Sequence, residues 1–202
     1  MQIQFVFDHR SIYSYLANSQ VVNLKATVDY RPVDIVAVMK EVHNQPSPMC
    51  PPKARYSLMD AKRWASLYDL PLNPNDELLG ALRQGRLPDA LLSRAALAAR
   101  QLGIFEKVND ALFRAVWAGS DDLATDEGRI RFADSHALPV SLWEIAESGS
   151  VFEELAANNQ WAIANGVFGA PTFFVGKEMF FGNDRLSFVR DRLATTAQGV
   201  EP

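Results

Sequence analysis

The spacing of apolar residues predicts the elements at the start of the chain. Residues 2–7 alternate between polar and apolar positions, which is typical of a β-strand. Residues 11–24 carry apolar side chains at helical spacing, and residues 26–31 are again β-rich. The chain therefore opens in the order β-α-β, and strands joined through a helix are usually parallel.

Helical spacing then continues from about residue 34 to residue 165, without any strand pattern. Strand patterns return in residues 172–175 and 178–181, which a Gly-Lys turn separates, and a last helix is predicted over residues 185–195. This order predicts an α/β fold: a thioredoxin-like core (βαβ…ββα) with a large all-helical insertion.

The same order predicts the domain boundaries. The thioredoxin-like core is expected to comprise residues 1–33 and 166–202, and the helical insertion subdomain residues 34–165.

Composition narrows the classes of protein that fit. The 202 residues are 48% hydrophobic, enough to bury a core, and the net charge of −4 offers no basic surface for nucleic acid. A single cysteine excludes an intrachain disulfide, and neither a secretory signal nor an apolar run of membrane-spanning length is visible. We therefore expect a cytoplasmic protein that binds neither a membrane nor nucleic acid.

The stretch FDHRSIYSYLA, residues 7–17, places two serines at the junction of the first strand and helix. In thioredoxin-like proteins this position holds a C-x-x-C motif, whereas here it reads Ser11-Ile12-Tyr13-Ser14. Thiol–disulfide exchange has no nucleophile there, so a disulfide oxidoreductase is excluded. The Ser11 hydroxyl and the helix N-terminus could instead stabilise the thiolate of a ligand. Alternatively, Ser11 is only an N-cap, and Ser14 is a surface or packing hydroxyl.

Two segments near the C-terminus also suit ligand binding. Pro171 stands directly before a β-rich run, and in thioredoxin-like folds a proline at this place is cis and leaves the backbone of the preceding residue, Ala170, free to pair with a peptide-like ligand. The alternative is an ordinary trans proline at a strand start. Asn183 and Asp184 lie where the last helix begins, and together they suit an α-amino acid head group, or else they only cap the helix.

The segment over residues 44–64 contributes further polar candidates, among them Lys53, which suits a carboxylate. Asp60 and Arg63 lie three residues apart on a predicted helix and are expected to pair. The three histidines follow no metal-ligand spacing, so no metal site is expected, and Cys50 between prolines has no predicted role.

Taken together, these motifs resemble the 2-hydroxychromene-2-carboxylate isomerases and the kappa-class glutathione transferases. The matching patterns are F-D-x-x-S-P-Y-S-Y-L-A in residues 7–17, R-P at Arg31-Pro32, G-N…P-x-K-x-x-Y…D-x-x-R-W in residues 43–64, G-V-F-G-x-P-T-F in residues 166–173 and F-x-G-x-D-R-L in residues 180–186. The R-P pair and the G-N pattern belong to one motif, and the four motifs in the right order make this a specific match over nearly the whole chain.

The resemblance implies glutathione as cofactor and assigns roles to individual residues. Ser11 would activate the glutathione thiol, and Ala170 before Pro171 would pair with the cysteinyl backbone. Asn183 and Asp184 would hold the γ-glutamyl end. The resemblance also implies that Asn44 and Lys53 contact glutathione or the substrate. Candidate apolar walls for the substrate are Trp64, Trp117 and Phe168.

Two positions depart from the family pattern. Ile12 replaces the proline after the serine, which removes a rigid first helical residue but keeps the hydroxyl. His43 replaces the glycine before Asn44, so a positive φ at this place would have to be adopted by a residue with a side chain.

The resemblance predicts a glutathione-dependent isomerase that acts on an unsaturated carboxylate from aromatic catabolism, and a homodimer. Two alternatives stay open from the sequence. One is a kappa-like transferase that consumes glutathione by conjugation, and the other is a non-catalytic thioredoxin-like module that binds peptides at the Pro171 edge.

Overall fold

The computed structural model describes residues 1–197. Its strands are β1 (Gln2–Phe7), β2 (Thr27–Pro32), β3 (Thr172–Val175) and β4 (Glu178–Phe181). Its α-helices are α1 (Ile12–Val21), α2 (Ile35–Glu41), α3 (Pro51–Leu67), α4 (Asp76–Arg83), α5 (Leu91–Gln101), α6 (Phe105–Trp117), α7 (Asp126–Ser135), α8 (Ser141–Ala146), α9 (Gly149–Ala164) and α10 (Leu186–Ala197). Two 3₁₀ turns, Ser47–Met49 and Asn183–Arg185, precede α3 and α10.

The four strands form one sheet in the order β2-β1-β3-β4. β1 pairs antiparallel with β3, so that Phe5 lies opposite Phe173, and β3 pairs antiparallel with β4. The rings of Phe5 and Phe173 stack with centroids 5.0 Å apart and are completely buried. This aromatic pair lies at the centre of the sheet and contributes about 0.5–1.5 kcal/mol beyond the burial of its area. The predicted α/β fold with a thioredoxin-like core and many added helices is confirmed.

The chain divides into two compact units. The first holds the sheet and comprises Met1–Arg31, Ile35–Leu70 and, of the described residues, 161–197. Residues 35–70 thus group with the sheet, whereas the sequence assigned them to the helical insertion. Hydrogen bonds join both helices of this segment to the first unit: the Ile35 N–H at the start of α2 donates to Asp8, and the Tyr13 hydroxyl on α1 donates to Asp60 on α3. Helical periodicity alone does not show which unit a helix packs against.

The second unit comprises Pro32–Asp34 and Pro71–Gln160 and is helical. Its central helix is α5, where nearly every residue is buried. Arg94 on α5 is also buried, and its guanidinium bonds Glu147 at 2.7 Å and lies 4.3 Å from the Phe152 ring centroid. A buried cation needs such partners to offset its desolvation.

The helices of residues 1–197 include none that is both long and apolar enough to cross a membrane. In the same part of the chain, no three His, Cys, Asp or Glu side chains are grouped in a way that could hold a metal ion.

Candidate active site

The turn between β1 and α1 is organised by the buried carboxylate of Asp8. Arg10 donates to it from both its backbone N–H and its guanidinium, and the Ile35 N–H donates at 3.0 Å. Burial alone would raise the pKa of Asp8, but the Arg10 charge and these hydrogen bonds outweigh burial, so the pKa lies below its ordinary value. The Ser11 N–H also donates to the Asp8 carbonyl at 3.0 Å, so Asp8 directly holds the start of α1.

Ser11 is the N-cap of α1, as the sequence predicted. Its backbone is extended, with φ −91° and ψ 115°, and its Oγ accepts the Ser14 N–H at 3.2 Å. The same hydroxyl donates to the Ala170 carbonyl oxygen at 2.9 Å, across 159 positions of sequence. The structure therefore brings together two of the predicted site residues, and it places the hydroxyl at the positive end of the α1 dipole.

Residues 168–171, directly before β3, form the second side of the site and are called the proline segment. The Ala170–Pro171 peptide is cis, as expected, and Pro171 is buried. The Thr172 hydroxyl donates to the Gly169 carbonyl at 2.8 Å, and the Gly182 N–H donates to the Pro171 carbonyl at 2.9 Å. The second bond connects the proline segment to the turn that carries Asn183 and Asp184.

Asn183 and Asp184 lie in the 3₁₀ turn before α10. Asn183 is 3% exposed, and its Nδ2 makes no hydrogen bond of normal geometry within residues 1–197. Asp184 is exposed and pairs with Arg185 at 2.5 Å. Burial raises the pKa of the nearby Tyr68 hydroxyl, and the Asp184 charge adds to this, while the Asn183 amide acts in the opposite direction. The buried amide and the exposed carboxylate thus lie side by side beside one phenol.

Gly182 allows this turn to form. Its φ is 109°, which residues with side chains rarely adopt, and a Cβ there would lie 2.4 Å from the Asp184 carboxylate. A side chain at this position would therefore strain the turn and displace the Asp184 carboxylate.

Asn44 joins the end of α2 to the proline segment. Its N–H donates to the Met39 carbonyl, and its Nδ2 donates to the Phe168 carbonyl at 2.7 Å. The preceding His43 has φ 56°, so the histidine occupies the left-handed conformation for which glycine is favoured. The loop that carries Asn44 is therefore built with positive φ in spite of the departure from the family pattern.

Lys53 lies in the first turn of α3 and is exposed. Among the described residues, no hydrogen bond or ion pair joins Lys53 to Ser11, Ala170 or Asn183. Its role thus rests on the resemblance alone, and the structure connects α3 to α1 through a different pair, Tyr13 and Asp60. Arg63 lies 3.8 Å from Asp60, the pairing expected from their spacing.

Several other sequence candidates are placed by the structure. Ser14 is completely buried and its hydroxyl has no hydrogen-bond partner within residues 1–197, so it is a packing residue of α1 rather than a surface residue. Phe168 is exposed, and its ring lies 4.6 Å from that of Phe181. Trp117 is buried within the helical unit.

Sequence reasoning missed the roles of Asp8, Tyr13 and Gly169. The signal for Asp8 was available, because an acid directly after a buried strand with Arg10 two residues later suggests an internal pair. Nothing in the sequence pairs Tyr13 with Asp60. Gly169 needs the structure as well, since a Cβ there would lie 2.6 Å from the Phe181 ring.

The chain matches the model of the DSBA-like thioredoxin domain over residues 2–194 and belongs to that family. Within it, the chain belongs with the 2-hydroxychromene-2-carboxylate isomerases and kappa-class glutathione transferases.

Its relatives carry both of these names. It is 31% identical to a 2-hydroxychromene-2-carboxylate isomerase of Sphingobium xenophagum, over 95% of this chain and 97% of the relative. It is 26% identical to glutathione S-transferase kappa 1 of Caenorhabditis elegans, over 95% of this chain and 90% of the relative. A solved 2-hydroxychromene-2-carboxylate isomerase has the same fold, with a TM-score of 0.80, 24% identity and full coverage of both chains.

Proposed function

We propose that this protein is a glutathione-dependent isomerase of the 2-hydroxychromene-2-carboxylate isomerase type. The observation that carries the proposal is the position of the Ser11 hydroxyl, at the N-terminus of α1 and 2.9 Å from the Ala170 carbonyl. A thiolate next to this hydroxyl would receive a charge-assisted hydrogen bond and lie at the positive end of a helix dipole.

The residues present fit a glutathione molecule. Asn183 provides a buried amide whose Nδ2 makes no hydrogen bond of normal geometry within residues 1–197, its neighbour being the Tyr68 hydroxyl. A charged acceptor that reaches this amide with good geometry would add about 1–3 kcal/mol. A carboxylate of the γ-glutamyl group is a suitable acceptor. The adjacent Asp184 is exposed and suits the ammonium of the same group.

The remaining residues position the cofactor backbone. Ala170 would pair with the cysteinyl unit, as a neighbouring strand would. Asn44 holds the Phe168 carbonyl and so maintains the loop that leads to Ala170. Lys53 provides a positive charge for a carboxylate, and the exposed rings of Phe168 and Phe181 provide an apolar surface for an aromatic substrate.

Glutathione, when bound, supplies a thiolate that adds reversibly to an unsaturated carboxylate and is regenerated. The contribution of the chain is to keep that thiol ionised. The Ser11 hydroxyl would stop donating to the neutral Ala170 carbonyl and would donate to the thiolate, because an anion is the stronger acceptor. The Ser14 N–H continues to donate to the Ser11 Oγ, which fixes the hydroxyl rotor toward the ligand.

A kappa-like transferase is the second candidate, because a kappa-class transferase is also among the relatives. Product analysis separates the two activities. With a hydroxychromene carboxylate and glutathione, the isomerase gives an isomer while free glutathione stays constant, and a transferase gives a thioether while glutathione is consumed.

The residue-level experiment compares Ser11→Ala with Ser14→Ala. Loss of the Ser11 hydroxyl is expected to lower kcat by about 100-fold, the usual effect of removing one donor to a developing or resident anion. Ser14→Ala is the matched control, because it removes a buried hydroxyl without a hydrogen-bond partner in the described chain and should leave kcat and stability nearly unchanged. Equal activity of the two variants would contradict the proposal, as would an enzyme without any affinity for glutathione in calorimetry.

A further inference from the structure

The side-chain hydrogen bond between α1 and α3 joins Tyr13 to Asp60. The Tyr13 hydroxyl donates to the Asp60 Oδ2 at 3.1 Å, and the Asp60 side chain is 20% exposed. The other charge near this carboxylate is Arg63, which lies 3.8 Å away and is 64% exposed. An exposed pair at that distance contributes little, so Tyr13 is the principal partner of Asp60.

Tyr13 stays protonated over the whole physiological range. Burial raises the pKa of its hydroxyl, and the hydrogen bond and charge of Asp60 add to this, to about 12. A phenol with this pKa is unsuited to proton transfer near neutral pH. It is therefore a permanent hydrogen-bond donor, which suits a structural link and not an acid or base.

The link matters because few side chains of α3 are fully buried. Only Ala61 and Ala65 of its 17 residues are buried, whereas nearly all of α5 is buried. On α3, the Asp60 side chain accepts from Tyr13, and Ser57 lies beside the same hydroxyl. Other side chains of α3, Trp64 among them, are half-buried and add to its packing, and the charge-assisted hydrogen bond adds a directional contact that orients the helix.

Both ends of the link are adjacent to proposed site residues. Tyr13 follows Ser11 by two positions in the first turn of α1. Asp60 follows Lys53 by seven positions on α3, and residues seven apart lie on the same face of a helix. The hydrogen bond thus fixes the face that carries Lys53 relative to the helix tip that carries Ser11.

We infer that Tyr13 and Asp60 are positioning residues, whose hydrogen bond holds Lys53 in place for the carboxylate of the bound ligand. This inference rests on the proposed function, because the ligand is glutathione. Neither residue needs to touch the ligand. They affect the affinity for glutathione by positioning Lys53.

A double-mutant cycle tests this dependence, with the Kd of glutathione measured by calorimetry. Tyr13→Phe keeps the ring and removes the hydroxyl, and it is expected to weaken binding roughly fivefold, as for the loss of one hydrogen bond. In a Lys53→Gln background, Tyr13→Phe is expected to cause no further loss, since the residue that it positions is gone.

Lys62→Gln provides the matched background. Lys62 is exposed on α3 and lies nine positions after Lys53, which places it on the opposite side of the helix. In this background Tyr13→Phe should still weaken binding roughly fivefold, because Lys53 is intact. Additive losses of Tyr13→Phe and Lys53→Gln would overturn the inference, and so would an unchanged Kd for Tyr13→Phe.

Variants at Asp60 give an independent route if Tyr13→Phe does not fold. Asp60→Asn keeps an oxygen that accepts from Tyr13, so it should lose less affinity than Asp60→Ala. The reverse order, or equal losses, would overturn the inference. If the unmodified protein does not bind glutathione, the proposed function fails and the inference fails with it. If it binds but the cycle is additive, only the inference fails.

Discussion

At the scale of single residues, the buried carboxylate of Asp8 orders the turn before Ser11, although Asp8 is not itself a proposed ligand contact. Its carboxylate holds Arg10 and the Ile35 N–H, and its carbonyl holds the Ser11 N–H. Removal of the charge would break the ion pair with Arg10, whose side chain is 19% exposed. Ser11 would then begin α1 from a less ordered turn.

The first prediction concerns the stability of Asp8→Asn. The free energy of unfolding at neutral pH should fall by about 2–3 kcal/mol, since a largely buried ion pair loses one partner. Asp29→Asn is the matched control. Asp29 also pairs with an arginine two residues later, Arg31, but both side chains are about a quarter exposed, and a loss of about 0–1 kcal/mol is expected. Urea denaturation measures both values, and equal losses would contradict this account of Asp8.

The pH dependence of the same pair provides a second test. The pKa of Asp8 in the folded protein lies below its unfolded value of about 3.9. The stabilisation is therefore complete above about pH 5 and is lost as the pH falls through the folded pKa. In denaturation curves from pH 7 to pH 2, the difference between the unmodified protein and Asp8→Asn should shrink below about pH 4. A difference that stays constant down to pH 2 would show that the charge of Asp8 is not its cause.

Residue roles could be predicted from sequence where local chemistry determines them. Ser11 as N-cap follows from its place before a helical pattern, and the Asp60–Arg63 pair follows from their spacing. The contact of Ser11 with Ala170 spans 159 positions, and no local pattern in the sequence predicts it. Gly169 and Tyr13 depend on tertiary neighbours, Phe181 and Asp60, which no local pattern identifies.

At the scale of elements, the turn between β4 and α10 places the proposed head-group residues. Gly182 connects this turn to Pro171 and makes room for Asp184. Strand and helix patterns predicted that Asn183 and Asp184 precede the last helix. The burial of Asn183 beside an exposed Asp184 depends on side-chain packing and could not be predicted in this way.

A pair of glycine variants tests the turn. Gly182 and Gly176 both have positive φ, so Gly182→Ala and Gly176→Ala should each cost about 1 kcal/mol of stability. Only at Gly182 would the new Cβ lie close to another group, the carboxylate of Asp184, and nothing lies within 4 Å at Gly176. Calorimetry should therefore show weaker glutathione binding for Gly182→Ala alone. Unchanged binding in Gly182→Ala, or the same weakening in both variants, would argue against a head-group site at this turn.

At the scale of the whole molecule, the order of strands and helices was enough to predict the fold, because βαβ and ββα segments around a helical stretch fit few architectures. The order of elements did not show which of the two units residues 35–70 join. Those residues are helical, like the insertion, yet they group with the sheet through contacts such as Tyr13 to Asp60. Periodicity reveals the type of an element but not its packing partner.

The central claim is that the helix tip at Ser11 stabilises a thiolate carried by glutathione. The most direct test is a pH titration of the thiolate ultraviolet absorbance of glutathione bound to the protein. The account predicts a thiol pKa at least one unit below the ordinary value of about 8.5, and a return toward that value in Ser11→Ala but not in Ser14→Ala. A bound thiol that titrates at its ordinary pKa in the unmodified protein would contradict the claim.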